Sequence, residues 1–130
     1  CASKERWTET LNLGKAFCKN INDNWNYQID KNLAYPIAVG KAGKYFKIPL
    51  EKLLIAFLQS FSSNLINVGV KHIPLGQSEG QKILINFLPV IEKQANIYKI
   101  AQVEDLGSSA FLSDLSSMYH ETLNNRIYQT

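Results

Sequence analysis

Histidine, cysteine and arginine are scarce in this chain. It carries two of each in 130 residues: His72 and His120, Cys1 and Cys18, Arg6 and Arg126. The cysteines form no C-x-x-C pair and no zinc-ligand pattern, so Cys18 reads as a buried thiol. A metal site supplied by the chain would need more ligands than two histidines, or the same ligands from a second subunit. Charged residues make up 19%, slightly low for a globular protein, and such a chain leaves apolar surface for a partner. The formal charge is only +3, with the lysines scattered, which argues against a nucleic-acid footprint. No secretory signal is visible and no apolar run reads as long enough to span a bilayer, so a cytoplasmic, reducing setting fits best. The chain opens on Cys1 and turns helical almost at once, as expected of a fragment of a larger all-helical protein.

What is present is helical periodicity. Trp7, Leu11, Gly14, Cys18, Ile21 and Trp25 recur at alternating spacings of four and three, one stripe of a helix, with Ser3 as its N-cap and Glu5 in its first turn. The stretch Asn20 to Asn32 is rich in Asn and Asp and reads as a loop. A short helix follows Tyr35-Pro36, with Gly40 and Gly43 allowing close helix contact. The strongest helix starts at Pro49 and ends near His72, since Pro74 disfavours helix at Ile73. Leu50, Leu53, Leu54, Phe57, Leu58, Phe61, Leu65 and Val68 carry its apolar face, wide enough to make it central to the domain. Ile83, Leu84, Phe87, Leu88 and Ile91 mark a fourth helix, kinked at Pro89. Phe111, Leu112, Leu115, Met118 and Thr122 mark a last one from about Ser109. No segment alternates with period two. The chain therefore reads as all-α, a single helical-bundle domain of about five helices over residues 1–130, with residues 124–130 as an exposed tail.

Two patterns invite a catalytic reading. Gly76-Gln77-Ser78-Glu79-Gly80 matches the G-x-S-x-G elbow of serine hydrolases, and Asp105 or Asp114 followed by His120 completes the order serine, acid, histidine. An elbow needs a strand before the serine, and the residues there have helical spacing. The bland alternative is a turn leading into a helix, where glycines let the backbone bend and approach a neighbour. His120-Glu121 begins like H-E-x-x-H, but position 124 is Asn, so the zinc-protease helix fails. No catalytic residue is assigned.

Three stretches together resemble the UreF family of urease accessory proteins. Tyr35-Pro36-Ile37-Ala38-Val39-Gly40 is similar to the family's Tyr-Pro-x-Ala-x-Gly segment. Pro74-Leu75-Gly76-Gln77 with Gly80-Gln81 is similar to its Pro-Leu-Gly-Gln-x-x-Gly-Gln signature. Asp114, then Ser117-Met118-Tyr119-His120-Glu121-Thr122, then Arg126-Ile127-Tyr128-Gln129-Thr130 resembles its ending, with Tyr119 where the family usually has Arg. The resemblance covers the C-terminal half to two thirds of a family member.

The resemblance implies a helical scaffold without its own catalytic centre and with no stably bound cofactor. Members dimerise, bind the accessory protein UreD (also called UreH) and recruit the GTPase UreG, which carries nickel, to apo-urease. Neither nucleic acid nor membrane is an expected partner. The position of Arg126 matches the tail arginine that the family links to UreG recruitment. Arg126 and Tyr128 are thus the expected tail contacts, with His120 and Glu121 ordering the last helix. Gly76, Gln77, Gly80 and Gln81 are expected to shape a turn near an interface. The competing readings are an unrelated all-α interaction module and a small serine hydrolase.

Overall fold

The computed structural model describes residues 3–107 and 110–124. Five α-helices run through them: α1 (Lys4–Asn24), α2 (Tyr35–Tyr45), α3 (Leu50–His72), α4 (Gln77–Tyr98) and α5 (Phe111–His120), with a single 3-10 turn at Val103–Asp105. No strand occurs among the described residues. The all-α reading and the helix number stand. The helices group into two compact units: one holds α1, α2 and α5, and the other holds α3, α4 and the 3-10 turn.

In the first unit, Ser3 caps α1 by accepting the Arg6 N–H at 3.1 Å. The α1 stripe is buried at its middle, where Gly14, Cys18 and Ile21 face inward, and half exposed at Trp7 and Trp25. Cys18, Ile21, Ile29 and Ala38 form the buried cluster, with Phe17, Tyr27 and Leu33 packed around it. Helix α1 runs on to Asn24, past the expected break at Asn20. The burial of Ile21 prolongs it, and tertiary packing here outweighs the weak helix preference of asparagine. Asn22 instead pins the following loop: its side chain donates to Ile29 O at 3.0 Å and accepts Ile29 N–H at 2.8 Å. Tyr27 stacks on Tyr45 with centroids 3.7 Å apart, and the Tyr45 hydroxyl donates to Asn26 O.

Gly14 is where α1 meets the chain leading into α2. A Cβ there would sit 1.9 Å from Leu33 O and 2.9 Å from Tyr35 N, so only glycine fits. Gly40 does not play the expected part: a Cβ there would meet nothing within 4 Å. It lies on the exposed side of α2, whereas Gly43 is buried.

In the second unit α3 and α4 form a helical hairpin. Pro49 stands at the N-cap of α3, and Ile73 ends it in extended backbone, as Pro74 requires. Helix α4 runs unbroken through Pro89, as expected of one helix with the proline inside it. The i−4 carbonyl that proline leaves without its helical partner is that of Ile85, an exposed residue. Lys99 ties the end of α4 to the start of α3, donating to Glu51 at 2.9 Å.

Two expectations about α3 need correcting. No residue of α3 is buried, so it is not a central core helix; Phe61, Leu65 and Val68 are exposed. Two helices can cover only one stripe of each other, and the apolar arc of α3 is wider than that stripe. At 23 residues α3 is also long and apolar enough, by length and composition, to cross a membrane. Its Gln59, Ser60, Ser62, Ser63, Asn64 and Asn67 would make such a span costly, and its face toward α4 is packed.

Candidate partner-docking region

The residues singled out in the sequence fall in three places. Arg126 and Tyr128 lie outside the described residues. Gly76, Gln77, Gly80 and Gln81 start α4. His120 and Glu121 end α5, in the other unit.

At the start of α4, Gly76 is the N-cap and its N–H donates to the Glu79 carboxylate at 3.2 Å. That is half of a capping box; a glycine has no side chain to complete it. Gly80 is buried one turn on. A Cβ there would stand 2.8 Å from Val70 Cγ2 and 3.1 Å from Ile66 Cγ2, so the glycine sets how closely α4 approaches α3. Gln77 and Gln81 are exposed. The Pro-Leu-Gly-Gln-x-x-Gly-Gln stretch is therefore a tight helix-hairpin corner that offers two amide side chains to solvent.

The same corner removes the hydrolase reading. Ser78 sits exposed in the first turn of α4, preceded by α3 and a short turn rather than a strand. The acid and histidine it would need are engaged elsewhere: Asp114 pairs with Arg6, and His120 with Glu5. Asp105 accepts the Gln102 N–H at 2.8 Å, closing its own turn.

At the end of α5, His120 and Glu121 reach the start of α1. His120 Nδ1 lies 2.6 Å from Glu5 Oε2. A carboxylate only accepts, so the ring donates from Nδ1. Glu121 Oε1 accepts the N–H of Lys4 at 2.6 Å and of Glu5 at 3.3 Å. A carboxylate at its own helix's C-terminus is electrostatically misplaced, and at the N-terminus of another helix it is well placed. Ser117 Oγ lies 2.6 Å from Ser3 Oγ, and Arg6 pairs with Asp114. Reading the sequence missed this assembly. Ser3 and Glu5 stood out only as local capping residues, and no periodicity links them to groups more than a hundred positions away.

The apolar residues of α5 stay in the open. Phe111, Leu112 and Tyr119 are 73%, 77% and 67% exposed, with Met118 and Leu115 also on the surface. On the hairpin, Phe61, Leu65, Ile83, Ile85 and Phe87 are exposed as well. Large apolar side chains are thus exposed on α3, α4 and α5 alike. Among the described residues no group of three His, Cys, Asp or Glu side chains is placed to hold a metal ion.

These features define the class: an all-helical protein. Comparison with known proteins gives the family. The UreF family model matches residues 1–88. The chain is 35% identical over 99% of its length to the urease accessory protein UreF of Roseobacter denitrificans, covering 58% of that protein. It is 36% identical over 98% of its length to the UreF of a Bradyrhizobium species, covering 56% of it. It is also 36% identical over 99% of its length to that of Ruegeria pomeroyi, covering 59% of it. The chain belongs to the UreF family, and it spans a little under three fifths of these curated relatives. They are named as accessory proteins rather than enzymes, which sets aside both the hydrolase and the unrelated helical module.

Proposed function

We propose that the protein is a scaffold in nickel-dependent urease maturation. It binds the UreD (UreH) accessory protein and recruits the UreG GTPase to apo-urease, and it works as a homodimer in the cytoplasm. Family membership, together with the open apolar faces of α3, α4 and α5, supports this reading. Apolar surface of this extent calls for a cover, supplied by other proteins or by the part of the relatives that this chain does not span. Nickel is then handled by the partner complex, and this chain contributes docking surface rather than metal ligands. Arg126 and Tyr128, in the tail that follows α5, are the proposed contacts for the GTPase, since arginine and tyrosine are favoured anchors at interfaces.

Genetic complementation tests the reading. On this reading, a ureolytic host lacking its own UreF makes urease without its nickel. The protein, expressed with its own UreD and UreG, is expected to restore nickel content and activity. Well-folded protein that restores neither would overturn the assignment.

A further inference from the structure

We infer that the outward face of α2 is a docking surface for a carboxylate-bearing helix of another protein, with Gly40 at its centre. Helix α2 buries one side, through Ala38, Ala42 and Gly43. On the opposite side Ile37, Gly40, Lys41 and Lys44 are all exposed. They stand at i, i+3, i+4 and i+7, the spacing of a stripe that packs against a second helix. Gly40 is the member of that stripe that packing within the chain does not explain. A glycine inside a helix costs stability, and a Cβ at this one would meet nothing within 4 Å. None of the described residues needs the room. Bare backbone in the middle of an exposed stripe admits the close approach of another backbone. Ile37, 55% exposed, stands one turn away as the apolar contact beside it.

Charge selects the occupant. Lys41 and Lys44 rim the stripe, and no acidic residue occurs in α2. A second copy of the chain is a poor fit, because a two-fold contact through this face would bring the lysines of one copy beside those of the other. A helix carrying Asp or Glu at the matching positions pairs with both. Rim pairs of that kind steer encounter and fix register, and the contact they guide weakens as salt rises. The inference rests on the scaffold reading for its partner, one of the two accessory proteins proposed above, and is independent of the tail.

The test is calorimetric titration of the protein with its UreD counterpart, and then of that pair with its UreG counterpart, at about 0.1 M NaCl and above. Gly40→Leu, and Lys41→Glu together with Lys44→Glu, are each expected to weaken the same one of these steps by about tenfold or more. Gly40→Ala should weaken it less. The lysine double variant should also flatten the salt dependence of that step, which a merely structural role would not do. Unfolding midpoints at or above wild type show that the variants are folded. Wild-type binding at both steps that is indifferent to Gly40→Leu and to the lysine double variant would overturn the docking face and leave the scaffold reading standing. Wild type that binds neither protein would overturn both. A change in the protein's own oligomeric state on Gly40→Leu, with partner affinity unchanged, would assign the face to a second copy and overturn the inference.

Discussion

Gly80 on α4 and Val70 on α3 approach so closely that a single added carbon would stand 2.8 Å from Val70 Cγ2. That contact turns a family signature into a packing statement. The glycine is there for the neighbouring helix, because the Cγ methyls of Val70 and Ile66 lie where its side chain would go. Both neighbours are β-branched and stiff at χ1, so neither can swing aside freely.

Gly80→Ala should therefore destabilise the protein by about 1 kcal/mol, the overpacking cost less the helix preference that alanine gains. Denaturant unfolding of the variant beside wild type checks the sign. A more stable variant would mean the two helices can part without loss.

Gly14 and Gly40 should behave in opposite ways. Gly14→Ala forces a carbon to 1.9 Å from the Leu33 carbonyl, a backbone atom that cannot rotate away, and is expected to cost about 3 kcal/mol or more. Gly40→Ala meets nothing and should stabilise α2 by about 0.5–1 kcal/mol. The two unfolding midpoints, taken together, separate a glycine the fold needs from one it merely contains.

Lys99 holds the Glu51 carboxyl below its ordinary value, through the hydrogen bond first and the charge second. A depressed carboxylate contributes stability above its unfolded value and loses it as pH falls through the folded one. The contact should therefore be intact at neutral pH and lost in the acid range. A carboxyl-carbon NMR titration should place Glu51 below the ordinary glutamate value, and Lys99→Gln should bring it back up.

Burial pushes the Cys18 thiol up, and the nearby Asp30 carboxylate adds to the effect. A raised thiol keeps its proton in the folded state, so stability is full below the unfolded value and falls as pH rises beyond it. Native protein should resist thiol reagents at neutral pH and react only as fast as it opens. Rapid labelling of Cys18 in folded protein would contradict the buried cluster around it.

Much of the helical skeleton was legible from spacing alone. The Pro74 stop, the Ser3 cap and the Cys18–Ile21 stripe are local physics, and each appears where its residues demand. The depth of α3 was not legible: its composition suits a core, yet how many neighbours cover a helix is a property of the assembled fold. The role of Gly80 needed its partner in view, since a glycine that opens a helix and one that meets a valine look alike in sequence. The five polar contacts between the start of α1 and the α5 end join residues more than a hundred positions apart, and the sequence drew attention to each half only for other reasons.

The most direct test of the scaffold account is the mass of the complex formed by the protein with its UreD and UreG counterparts, measured by size exclusion with light scattering. Wild type is run beside Arg126→Ala. The account predicts a ternary complex for wild type and a complex lacking the GTPase for the variant. A well-folded wild-type protein that binds neither counterpart would contradict the scaffold role. A ternary complex unchanged by Arg126→Ala would leave the scaffold in place and remove the tail as its GTPase contact.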